Sequence, residues 1–126
     1  MNKVLIADGL SASGIEMLEA ERDVDYHDEL SPGELLSIIG NFDALVVRSK
    51  TQVTEDVLKK ADNLKVVARA GIGVDNIDLD ACTTHGVLVV NAPTGNTLAT
   101  AEHTFAMLLS LARQIPQAHG STKKGL

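Results

Sequence analysis

What most constrains this chain is a rhythm: short apolar runs recur between amphipathic segments at the spacing of βα units. Residues 3–8, 23–28, 44–49, 65–70 and 87–92 read as strands, the second weaker and alternating in polarity. Three of the five hold continuous Val/Leu/Ile cores, as strands do when helices cover both faces of a sheet. Aromatic residues make up only 2% of the chain, so the core must be aliphatic, which suits a buried parallel sheet. At 126 residues there is material for one compact domain.

Helix signals lie between the strands. Ser13 with Glu16, and Ser31 with Glu34, have the spacing at which a hydroxyl and a carboxylate reciprocally satisfy open N–H groups. Pro32 falls at a first helical position, where its missing N–H costs nothing. Thr54 is placed to cap a helix whose first turn carries Glu55 and Asp56, favourable at the positive dipole end. Asp78 is placed to cap another, which Gly86 would close in the left-handed conformation. The order β-α-β-α-β-α-β-α-β with right-handed crossovers predicts an open parallel five-stranded sheet, flavodoxin-like in order 2-1-3-4-5, with helices on both faces.

The last segment behaves differently. Residues 97–119 are expected to form one long helix of roughly 33 Å, at about 1.5 Å per residue. Leu98, Ala101, Phe105, Leu108, Ala112 and Ile115 recur at three- and four-residue steps, while Met107, Leu109 and Leu111 make its other faces apolar too. Such a helix needs covering on more than one side, by a further domain or a second subunit. The expected division is therefore residues 1–96 as one domain and 97–126 as a crossover or dimerisation helix with the start of a linker.

The formal net charge of -6 argues against nucleic acid or an acidic membrane surface as partner, though not against a small anion. Cys82 is the only cysteine, which excludes an internal disulfide and fits a cytoplasmic location. The apolar run 4–7 is too short for a signal peptide, and 105–109 is far short of a membrane span.

Ligands of open α/β sheets bind at the carboxyl ends of the strands. There the expected third strand ends in Arg48 and the fourth in Arg69, roughly 5 Å apart laterally if those strands are neighbours. Two guanidiniums on one rim either enclose an anion, which arginine grips in bidentate fashion, or each pairs with a surface carboxylate. Gly71-Ile72-Gly73-Val74-Asp75-Asn76 follows Arg69 but lacks the third glycine of a dinucleotide fingerprint, that position being Asn76. It reads either as a loop whose bare N–H groups approach an anion, or as a plain turn needing glycine for positive φ. Asn96 stands at the start of the long helix, where a simple cap is an equal reading. His27, His85, His103 and His119 have no metal-ligand spacing, and Cys82 reads as a small core residue. The sequence shows no complete catalytic set.

Val46-Val47-Arg48-Ser49, the stretch from Val66 through Arg69 and the glycine loop to Asp78, Asn91-Ala92-Pro93-Thr94-Gly95-Asn96, Ala101-Glu102-His103 and Ala112-Arg113-Gln114-Ile115-Pro116 together resemble the D-2-hydroxyacid dehydrogenases, and within them the phosphoglycerate branch. The resemblance covers essentially the whole chain. It implies a two-domain NAD-dependent oxidoreductase whose outer domain binds substrate, while the long helix crosses to a Rossmann domain and contributes to a dimer. By that similarity Arg48 and Arg69 hold anionic groups of the substrate, and the amides of Ile72 and Gly73 bind its carboxylate. Asn96 and Thr100 approach substrate or the nicotinamide end of NAD. The family's dinucleotide loop and its catalytic Arg, Glu and His would lie beyond Leu126, so no catalytic residue is assigned here. The family's substrate domain is also completed by a returning C-terminal segment, which leaves one face expected bare.

Three other readings stand beside this one. The parent could act on another 2-hydroxy acid, as a glycerate dehydrogenase or hydroxypyruvate reductase does. The chain could be a non-catalytic binding or dimerisation module. A phosphoryl-accepting receiver domain shares the fold, but needs an Asp where the third strand ends in Arg48 and an acidic cluster where only Asp8 stands.

Overall fold

The computed structural model describes residues 3–125. Its strands are β1 (Lys3–Ile6), β2 (Asp23–Tyr26), β3 (Ala44–Val47), β4 (Val66–Arg69) and β5 (Leu88–Asn91), all in parallel pairs in the order β2-β1-β3-β4-β5. Helices α1 (Ala12–Glu19), α2 (Pro32–Ile38), α3 (Glu55–Lys59) and α4 (Leu79–Thr84) connect them, with a short 3-10 turn at Ile39–Asn41 after α2. The expected class and strand order are those observed.

The register explains how the two faces differ. Leu5, Leu45, Val67 and Val89 stand opposite one another and so share a face. That face packs on Leu35, Ile39, Val57, Leu58, Ala81 and Cys82 from the α2 to α4 side of the fold. The other face carries the row Val4, Ala44, Val66, Leu88. Helix α1 covers it with Ile15 and Leu18 at the β1 side only. Exposure accordingly climbs from 4% at Val4 and 7% at Ala44 to 62% at Leu88.

Local capping follows the expected chemistry with two exceptions. Ser31 and Glu34 form the reciprocal box, with Pro32 opening α2. Asp78 accepts from the Ala81 N–H at 2.9 Å, and Gly86 closes α4 at φ 69°. At α1, however, the cap is Ser11, whose hydroxyl accepts from Gly14 N–H; Ser13 already lies inside the helix, so the expected Ser13–Glu16 box is not formed. Thr54 does precede α3, but its hydroxyl makes no capping bond; Lys59 instead pairs with Glu55 at 3.2 Å.

The contacts divide the chain into two units, Met1–Pro93 and Thr94–Leu126. The second holds α5 (Thr97–Ala112) and α6 (Ile115–Lys123) in place of the single helix expected over 97–119. The break has a covalent cause. A continuous helix would need the Pro116 nitrogen to donate to the Ala112 carbonyl, and Pro116 has no N–H and a ring that clashes there. The chain turns instead through Gln114 at φ 52°, ψ 39°, and Pro116 becomes an early residue of α6. Residues Leu98, Phe105, Leu108 and Leu111 of α5 are 58–77% exposed. Among the described residues no helix is long and apolar enough to cross a membrane.

Candidate anion site at the carboxyl edge of the sheet

The carboxyl ends of β1, β3 and β4 assemble the residues singled out above. Arg69 is the last residue of β4 and lies opposite Val47, so Arg48 is staggered one residue further along than a direct neighbour of Arg69. The two side chains therefore leave the edge from successive pleats rather than side by side, a correction to the simple lateral pair. Among the described residues neither arginine has an ion-pair partner. Arg48 is exposed, and its Nη1 donates to the Gly9 carbonyl at 3.2 Å. Arg69 is partly buried, with its Nε enclosed and without an acceptor.

The glycine loop is built for close approach rather than for unusual φ. Neither Gly71 nor Gly73 is in the left-handed region. A Cβ at Gly71 would overlap the Nη1 of Arg69, so this glycine lets the guanidinium fold over the loop. Hydrogen bonds from the Asn91 side chain to the Ile72 carbonyl (2.7 Å) and from Ala92 N–H to the Gly71 carbonyl (2.9 Å) tie the loop to the end of β5. The N–H groups of Ile72 and Gly73 have no acceptor among the described residues. Two guanidiniums without ion-pair partners and two amides without acceptors, all among the described residues of one strand edge, make an arrangement suited to anions.

Beneath Arg48 lies a buried polar network that the sequence reading passed over. Asp8 is 2% exposed, and its carboxylate accepts from the N–H groups of Arg48 (2.6 Å), Lys50 (3.3 Å) and Thr51 (3.2 Å). The Thr51 hydroxyl also lies 2.6 Å from Asp8 Oδ1. Asn76, 5% exposed, donates to the carbonyls of Arg48 (2.8 Å) and Thr51 (2.7 Å). An Asp that ends an apolar strand, and an Asn where a fingerprint would have glycine, were the available signals. At the rim of this loop, Glu29 sits 3.1 Å from Lys50 and holds its ammonium pKa above the usual lysine value.

Two of the expected residues fall in the other unit. Asn96 and Thr100 belong to the second unit, both exposed at the start of α5; Asn96 makes no side-chain capping bond. Cys82 is 1% exposed, and burial with nearby Asp78 pushes its thiol pKa up, the reverse of an activated nucleophile. Among the described residues no group of acidic, His or Cys side chains is placed to hold a metal. A hollow of about 790 Å³ is lined by Leu30, Leu35, Thr54 and Val57 among others, but by neither arginine.

Comparison with known proteins gives this edge its context. The chain is 51% identical over 123 residues to the D-3-phosphoglycerate dehydrogenase of Bacillus subtilis, covering 98% of the chain but 23% of that enzyme. The crystal structure of the PH0520 protein from Pyrococcus horikoshii superposes with a TM-score of 0.84 at 32% identity, over 99% of this chain and 38% of the other. An NAD+-bound 3-phosphoglycerate dehydrogenase from Entamoeba histolytica superposes at a TM-score of 0.75 and 26% identity, over 86% and 38%. Residues 4–126 match the family described as D-isomer specific 2-hydroxyacid dehydrogenase, catalytic domain, and the chain belongs to that family.

Proposed function

We propose that this chain is the substrate-recognising part of an NAD-dependent D-3-phosphoglycerate dehydrogenase, which oxidises 3-phosphoglycerate to 3-phosphohydroxypyruvate for L-serine synthesis in the cytoplasm. The observation that carries the reading is the pair of arginines without ion-pair partners, Arg48 and Arg69, at the edge where the amides of Ile72 and Gly73 are also uncommitted. A substrate with a phosphate at one end and a carboxylate at the other suits two guanidiniums that leave the edge from successive pleats. Arg48 and Arg69 take its anionic groups, and the Ile72 and Gly73 amides its carboxylate. Each contact is a charge-assisted hydrogen bond, roughly twice as strong as a neutral one.

The dinucleotide itself finds no cradle in the glycine loop, because the place of a third glycine is filled by the buried Asn76 side chain. What this chain offers NAD is confined to Asn96 and Thr100 at the start of α5, toward the nicotinamide end. Bound there, NAD would accept the hydride. The chain's own contribution is recognition and orientation, and by itself it turns over no substrate. The exposed apolar face of α5 supports a homo-oligomer, or cover by a further domain.

The test is an NMR titration of the chain with 3-phosphoglycerate, D-glycerate and NAD separately, repeated in Arg48→Ala and Arg69→Ala. The expected result is that 3-phosphoglycerate shifts the amides of residues 69–76 and that either substitution weakens the response, so that saturation needs much more ligand. An equal response to D-glycerate would transfer the reading to a dehydrogenase of an unphosphorylated hydroxy acid, such as glycerate dehydrogenase or hydroxypyruvate reductase. No response to any ligand would overturn it for this chain.

A further inference from the structure

The loop that carries Arg48 is held in a way that its backbone alone does not require. Residues 48–51 follow β3 and have left the sheet. Three of their N–H groups, those of Arg48, Lys50 and Thr51, converge on one buried carboxylate, Asp8. Two of their carbonyls, those of Arg48 and Thr51, are taken by one buried amide, Asn76. A buried charge is costly unless its hydrogen bonds are made, and at Asp8 they are made almost entirely to this loop. Asn76 adds a second constraint. It is the last residue of the glycine loop, so its side chain ties the Arg48 loop to the segment carrying the Ile72 and Gly73 amides.

We propose that Asp8 and Asn76 are positioning residues for substrate: Asp8 fixes the backbone from which Arg48 projects, and Asn76 sets the spacing between Arg48 and the Ile72 and Gly73 amides. The proposal rests on the reading of Arg48 as an anion ligand. It assigns to these two residues an effect on affinity that is exerted through Arg48 and not through contact with the ligand.

The distinguishing experiment is a double-mutant cycle on the chain, with 3-phosphoglycerate as the probe and amide shifts as the readout. Asp8→Asn keeps the shape and removes the charged acceptor. It is expected to weaken binding about tenfold when Arg48 is present and to have little further effect in Arg48→Ala, because neighbours acting as a unit are non-additive. Asn76→Ala, run in parallel in case Asp8→Asn fails to fold, should show the same coupling. Equal losses in both backgrounds would mean that these residues merely support the fold, and would overturn the proposal. So would normal binding by both folded variants while Arg48→Ala still loses it. If Arg48→Ala itself binds normally, the underlying reading of Arg48 fails instead, and the two failures are told apart. Hydrogen exchange supplies a check without ligand: the Arg48 and Thr51 amides should exchange as slowly as those of β1. Exchange at free-loop rates would also overturn the proposal.

Discussion

Replacing Gly71 by alanine separates the two things a glycine at this position can do. Its backbone is not left-handed, so alanine is conformationally allowed there. The new Cβ would overlap Arg69 Nη1 and come within 2.8 Å of Arg69 Cζ. Those atoms are the far end of a flexible side chain, which can swing away at small cost to the fold. Gly→Ala at a compatible site stabilises by about 0.4–1 kcal/mol through the unfolded chain. The stability of Gly71→Ala should therefore stay level or rise slightly in urea melts, while the guanidinium loses its seat. If Arg69 holds an anion through hydrogen bonds to a charged group, about 1.5–3 kcal/mol of binding goes with it. At about 1.4 kcal/mol per factor of ten, the Kd for 3-phosphoglycerate should weaken about ten- to 150-fold. Gly86→Ala is the matched control. It meets open space but sits at φ 69°, so it should lose about 1–2 kcal/mol of stability and leave affinity unchanged. If Gly71→Ala bound as tightly as the parent, the seat of Arg69 over the loop would be irrelevant to recognition. If it were destabilised by as much as Gly86→Ala, the glycine would serve the backbone and the reasoning would fail.

Other consequences follow from the same structure. Ser31→Ala should cost about 1 kcal/mol at neutral pH in urea unfolding. Its hydroxyl and N–H bond Glu34 and hold that carboxyl's pKa below the usual range. A lowered folded-state pKa means that this contribution is present above the unfolded-state value and is lost as pH falls through the folded one, so the Ser31→Ala deficit should shrink toward pH 3. Cys82 should react with an aromatic disulfide reagent only as fast as the fold opens, and at once in denaturant; rapid native-state labelling would contradict its place in the core. Leu45→Ala, fully buried, should cost about 2–5 kcal/mol, whereas Leu88→Ala, 62% exposed, should cost under about 1 kcal/mol.

Much of the fold was legible because the strands of a sheet covered on both faces read as continuous apolar runs between helix signals. The runs ending in Arg48 and Arg69 announced their strands. What the sequence concealed were outcomes of competition between local signals. Ser11 and Ser13 both precede an apolar helical pattern, and the cap fell to Ser11, whose hydroxyl meets the Gly14 N–H. The apolar seam from Leu98 to Ile115 runs across the break at Gln114, yet the N–H missing from Pro116 outweighs the seam and divides the helix. Asp8 and Asn76 were hidden for a different reason. Apart from the Thr51 hydroxyl, their partners are backbone groups 25–43 residues away, and backbone groups leave no trace in side-chain pattern.

That concealment bears on how the site achieves selectivity. Guanidiniums on an exposed edge attract anions from any direction, and in water a charge pair at 4 Å contributes only about 1 kcal/mol. Discrimination must come from holding the donors at fixed separations, so that a ligand with two anionic ends satisfies them together and a ligand with one does not. On the proposed reading, those separations would be set by groups that do not meet the ligand: the buried Asp8 under Arg48, the buried Asn76 between the two loops, and the absent side chain of Gly71 under Arg69. Selectivity for a phosphorylated over an unphosphorylated hydroxy acid should thus fall in Asp8→Asn even where affinity for inorganic phosphate is barely altered. A parallel titration with 3-phosphoglycerate, D-glycerate and inorganic phosphate would measure that ratio directly. An unchanged ratio would return the discrimination to the guanidinium charges alone.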